Sequence, residues 1–272
     1  MKYARRVVMS MAILSCMVPM EAAASAAGQV PVRFPEDTSH AALVVWSLNN
    51  KEIGRGDLAE SVNGKQVTSK LAIHFDDGSI YEERTDFTQD GAFHLTDYHL
   101  VQKGPAFRQA FEMTMDVARG TVTVRCFGGG GKGKTRTRHM AMPSDVANGI
   151  LPFLARNMPA GLDEERVSMV VATPEPKLVQ ATISPMRSET FPFDGSKLET
   201  TRYAVRVDPS GFVGSLVKIT GRQPPPSFIW MLHGKVPSFL MAQEDLLGGP
   251  VCRIALAVPV PAASVTADAS GY

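Results

Sequence analysis

The chain has 272 residues, 44% apolar and 20% charged, an ordinary globular composition that excludes a disordered chain and a multispan membrane protein. With 28 basic and 27 acidic side chains its formal charge is +1, so bulk electrostatics point to neither nucleic acid nor a membrane as partner. The length suits one sizeable domain or two small ones.

The chain opens on MKYARR, basic through Lys2, Arg5 and Arg6, followed by VVMSMAILSCMVPM, an apolar stretch short of a bilayer span. EAAASAAG then sets Ala24 and Ala26 around Ser25 in the spacing a signal peptidase reads. The prediction is a signal peptide over 1–26 and a bacterial protein that is periplasmic or secreted. Its removal takes three basic side chains and Glu21 away, leaving a formal charge of −1. A second reading makes Cys16, behind Ile13, Leu14 and Ser15, the acylated cysteine of a lipoprotein; Leu14 stands where small residues are usual, and soluble export is the default. No other segment is long and apolar enough for a membrane span.

From residue 40 onward the chain alternates with period two, the mark of half-buried strands. In QVTSKLAIHF, Val67, Leu71, Ile73 and Phe75 share a face; in FEMTMDV, Phe111, Met113, Met115 and Val117 do; in TVTVRC, Val122, Val124 and Cys126. Asp76-Asp77-Gly78, Gln89-Asp90-Gly91 and Ala118-Arg119-Gly120 supply tight turns between these runs. MPSDVANGILPFLARNMPAG breaks the rhythm: Ser144 reads as a helix cap, Val146, Ile150 and Leu154 recur at helical spacing, and Pro152 predicts a kink or two short helices. YAVRV and VCRIALAV resume the alternation, Asp208-Pro209-Ser210-Gly211 adds another turn, and the tail over 261–272 is small and polar, with a disordered composition. The expected fold is mainly β, a single domain over 40–260 built as a curved antiparallel meander, half-barrel or open barrel. One or two short helices near 144–158 cover its apolar face.

CFGGGGKGKTRT (126–137) matches the phosphate-cradling pattern GxxxxGK[ST] through Gly128, Gly133, Lys134 and Thr135. That motif works only where a strand enters a glycine turn that opens a helix, whose free amides hold the phosphates. Here TRTRHMAMP follows, which reads as a returning strand, so no nucleotide is expected. An extended 132–138 would align Lys132, Lys134, Arg136 and Arg138 in a basic stripe. Such a stripe either binds anionic head groups or an acidic partner, or is a solvated hairpin that discourages edge-to-edge association. Nucleic acid is not expected as a partner.

The other chemistry is sparse. Cys126 and Cys252 either pair in an oxidising compartment or stay two buried thiols, and they make no zinc site. Ser215 and Lys218 match SxxK without a helical context, and no GxSxG, HExxH or CxxC is present. Polar-facing His74, Asp76, His94 and Tyr98 are the residues from which a hydrolase or metal-dependent site would be built. Phe111, Met113, Met115 and Trp230 are candidates to line an apolar ligand site, with plain core as the alternative. No catalytic residue, metal or cofactor is assigned.

HFDDGSIYEERTDF (74–87), DYHLVQKGPAF (97–107), MTMDVARGTVTVR (113–125), MPSDVANGI (142–150) and LGGPVCRIAL (247–256) together resemble a group of uncharacterised exported bacterial proteins. These look related to envelope domains of unknown function whose half-barrel is similar to that of the outer-membrane lipoprotein carriers, at the level of architecture. The resemblance implies a curved sheet under helical cover and carries no catalytic residue with it. The expected function is that of a non-enzymatic envelope protein binding lipid, another apolar ligand or an envelope partner. A purely structural envelope component and a His/Asp enzyme are the alternatives.

Overall fold

The computed structural model describes residues 29–128, 133–193, 196–208 and 225–257, and the fold is stated for these. The first run of strands is β1 (Ser39–Ser47), β2 (Glu52–Asn63), β3 (Gln66–Phe75), β4 (Ile80–Asp90), β5 (Ala92–Lys103), β6 (Ala110–Asp116), β7 (Thr121–Phe127) and β8 (Lys134–His139). After the helix α1 (Leu151–Asn157) come β9 (Glu165–Val171), β10 (Lys177–Phe193), β11 (Ser196–Val207), β12 (Ser227–Leu232), β13 (Ser238–Asp245) and β14 (Val251–Leu256). All belong to one antiparallel sheet of 14 strands, ordered β8-β7-β6-β5-β4-β3-β2-β1-β14-β13-β12-β11-β10-β9 and not closed into a barrel. Each run is a meander of sequence neighbours. The two are welded at the centre, where β1 pairs with β14 through Leu43↔Leu256 and Val45↔Ile254.

The turn sequences fall where hairpins need them, at Gly78, Gly91 and Gly120. Register then carries one face across the sheet, because residues directly opposite share a side. One such row runs Ala41, Leu58, Leu71, Glu83, Leu100, Met113, Val124 and Arg136 across β1 to β8. That face is the inner one: it holds Val45, Ile73, Phe111, Met113, Val122 and Val124, all essentially inaccessible to solvent. The sheet curls tightly at β2. Gly56 faces inward opposite Ile73, and a Cβ there would collide with the Ala72 carbonyl oxygen of β3; Gly54 meets the His74 carbonyl at 2.6 Å in the same way. Only glycine lets the two backbones come this close.

The connection from β8 to β9 joins the two edges of the sheet and so crosses its open side. It holds a shorter helix than the sequence predicts. Ser144 caps nothing; Asp145–Ala147 instead runs beside β9, with the Ala147 amide donating to the Ser168 carbonyl (2.8 Å) and the Ser168 amide to that of Asp145 (3.2 Å). The helix begins at Leu151, which puts Pro152 in the first turn, where no amide donor is required, and the expected kink does not arise. Asn148 finishes the edge by imitating a strand: its side-chain amide donates to the Val170 carbonyl and its oxygen accepts from the Val170 amide, both at 2.8 Å. On the far edge β8 is exposed throughout, and Arg138 donates to the Pro176 carbonyl beyond β9 (2.9 Å).

The segment before β1 locks the helix in place. Asn157, wholly buried, accepts hydrogen bonds from the Arg33 and Phe34 amides (2.8 and 2.7 Å) and donates to the Phe153 carbonyl, while Arg33 donates to the Met158 carbonyl. Phe153 packs against Phe87 of β4 with ring centroids 4.8 Å apart and planes tilted by 42°, pinning the helix over the inner face. Among the described residues no helix is long and apolar enough to cross a membrane.

Candidate functional site

Core side chains fill the inner face around β5–β7, but toward β1, β2 and β11–β14 the sheet and the crossover enclose a chamber of about 800 Å³. Its walls come from both halves of the sheet, with Leu43, Leu58 and Leu71 facing Ile229, Met231 and Ile254, and its roof is Gly149, Leu151 and Phe153. Strands from opposite halves line one space because the sheet curls. The volume and the apolar lining are those of a small-molecule pocket, about 300–1,000 Å³.

One part of the wall is polar. Glu83 of β4 faces inward between Leu71 and Leu100, and its Oε2 accepts hydrogen bonds from Tyr81 (2.9 Å) and Tyr98 (3.0 Å). Burial raises the pKa of the Glu83 carboxyl, opposed by the hydrogen bonds from Tyr81, Tyr98 and Thr85. Burial, and then the charge of Glu83, raises both phenols well above their usual range. Glu244 of β13 faces the same space from the other half of the sheet; its pKa rises to about 7, first through burial and then through Glu83. Both carboxylates are enveloped by protein yet keep surface open to the chamber. Gly149, in a left-handed conformation (φ +72°), lies directly over Glu83 and Thr85.

A second polar cluster borders the chamber beside α1. Arg156 donates to Glu36, and Ser39 donates to Glu60 at 2.9 Å. Glu36 is 3% exposed, and its pKa rises to about 7 because burial, reinforced by Glu60, outweighs Arg156.

The residues singled out from sequence fall in different places. Phe111, Met113 and Met115 do face inward, as 1–3% exposed members of the packed core that continues from the chamber, and they do not line it. Trp230 points to the outer face, beneath Arg202, in a separate cluster with Phe191, Leu240 and Met241, and its indole N–H donates to Glu189 (2.7 Å). Its neighbours Ile229 and Met231 reach the chamber instead. Lys134, Arg136 and Arg138 do share a face of β8, the inner one, opposite Cys126, Val124 and Val122; Lys132 lies outside the described residues.

Four other sequence motifs resolve as follows. Lys134–His139 is the returning strand β8, so the glycine-rich loop opens no helix. His74 pairs with Ile80 and His94 with Thr88, at opposite ends of β4 and about 26 Å apart along the strand. Tyr98 faces inward while His74 is exposed, so His74, Asp76, His94 and Tyr98 form no common site, and among the described residues no cluster has the makings of a metal centre. Cys126 and Cys252 are free thiols. Residues 1–26, Ser215–Lys218 and 261–272 lie outside the described residues.

Neither Glu83 nor Glu244 is among the residues the sequence motifs mark, although a signal for Glu83 is present: the alternation that sends Tyr81 and Phe87 inward must send Glu83 inward too. Comparison with protein-family models, curated proteins and solved structures gave no match for this chain.

Proposed function

We propose that this protein is an exported, non-enzymatic binder of a single-chain lipid or similar apolar molecule, held in the chamber on the concave face of the sheet. The observation that carries the reading is the chamber itself: about 800 Å³, walled by Leu43, Leu58, Leu71, Ile229, Met231 and Ile254 rather than filled by them. A concave recess of this size bordered by aliphatic side chains is the form a binding pocket takes. The basic, apolar and small-residue blocks at the N-terminus support export to the periplasm or beyond it.

Native mass spectrometry of protein purified from a bacterial envelope fraction tests the reading. Extra mass released by organic solvent is the expected result, and the mature mass reports whether cleavage occurs near Ala26. A clean polypeptide mass, together with no uptake of a fluorescent fatty-acid probe, would overturn it and leave a structural role in the envelope.

A further inference from the structure

The polar wall determines which amphiphile the chamber suits. Glu83 and Glu244 come from opposite halves of the sheet and aim carboxylates into one largely apolar chamber, close enough that the charge of Glu83 bears on Glu244. The two phenols and the amide nearest them are engaged. Tyr81 and Tyr98 both donate to Oε2 of Glu83, and Asn148 donates to the Val170 carbonyl. Glu244 accepts no hydrogen bond among the described residues, although its surface opens on the chamber. Nor is a cation supplied from within among the described residues: of the arginines bordering the chamber, Arg156 is bound to Glu36, and Arg206 stands on the exposed end of β11.

The wall thus offers acceptors and negative charge, with its two phenols already committed to Glu83. A fatty-acid carboxylate placed there would meet two like charges, and an alcohol would satisfy one acceptor. A primary ammonium brings three donors and the missing positive charge.

We propose that Glu83 and Glu244 form a recognition site for the protonated amine of a single-chain amphiphile whose alkyl tail lies along Leu43, Leu58 and Met231. The inference rests on the chamber being a ligand site, and it adds the chemistry of the head group. Burial and the charge of Glu83 on β4 set the response of Glu244 to pH, and Tyr81 of β4, Tyr98 of β5 and Cys252 of β14 are the other titratable groups that its charge reaches. Glu244 has its pKa raised to about 7, so its charge is present at pH 8 and largely lost at pH 6.

The test is titration calorimetry of the full chain with dodecylamine, dodecanol and dodecanoate below their micellar concentrations. At pH 8 the amine is expected to bind at least tenfold tighter than the alcohol, and the carboxylate more weakly than either. The advantage of the amine over the alcohol should shrink severalfold at pH 6, and Glu244→Gln should remove most of it at pH 8 while leaving alcohol binding in place. Equal binding of amine and alcohol, or an amine preference unchanged by both pH and Glu244→Gln, overturns the head-group assignment and leaves the chamber as an unselective apolar site. Binding of none of the three overturns the chamber reading as well. The pH series on the unaltered chain decides the matter should Glu244→Gln fail to fold.

Discussion

Glu244 places a carboxyl group with a pKa of about 7 where an unfolded glutamate titrates near 4.5. Below pH 4.5 the group is protonated in both states and the fold bears no penalty; above about pH 7 it is ionised in both, and the fold bears all of it. The stability of the ligand-free protein therefore falls between these limits as pH rises, by on the order of 3 kcal/mol from this group. Glu36 acts in the same direction. Melting curves should show a lower Tm at pH 8 than at pH 5, and Glu244→Gln should flatten the difference; a Tm that climbs with pH in the native chain would contradict the burial of this carboxyl. Gly149 exerts a different kind of control. Alanine there would have to hold a left-handed φ of +72° and push into the Thr85 hydroxyl, at a cost of about 3 kcal/mol in urea unfolding. Thr85→Ala in the same chain should recover part of that loss, since it removes the collision and leaves the backbone strain.

The crossover between β8 and β9 shows most clearly where sequence reasoning reaches its end. Strand alternation is local, and β3, β6, β7 and β14 lie where the period-two runs place them. The helix is different: Ser144, Asp145 and Val146 have the chemistry of a helix start, but the unpaired edge of β9 takes their backbone groups first, and the helix waits until Leu151. An edge strand belongs to the tertiary structure, so no local pattern could announce that competition. Trp230 follows the same logic. Its parity on β12 is readable, but which face of β12 is concave depends on pairings with β11 and β13, one of which carries a bulge. The edge pairing is open to measurement. Asn148→Ala removes both hydrogen bonds to Val170, with an expected loss of about 2 kcal/mol and faster amide exchange across β9, while β3 and β4 stay protected. Uniform acceleration in all strands would show that Asn148 acts on the whole fold rather than on that edge.

The molecule is a sheet curled around a space, and the same curl makes its stability respond to what occupies that space. A ligand that binds the folded chain alone, supplied at 100 times its Kd, adds about 2.7 kcal/mol. Dodecylamine at the concentration that gives this excess for the native chain should raise its Tm by several degrees at pH 8, and that of Glu244→Gln by less at the same concentration; no shift at saturation would mean that the amine binds without preference for the folded state. The weld between β1 and β14 has a consequence in time. Leu43 and Leu58 stand near the beginning of the described chain, whereas Ile254 and Leu256, which complete the same wall, belong to its last strand. As a chain leaves the ribosome or a membrane pore, β1 through β8 can zip up as a meander, yet the far wall does not exist until residue 256 has emerged. No shorter intermediate completes the chamber, so a ligand held there as proposed would be taken up only by the finished molecule.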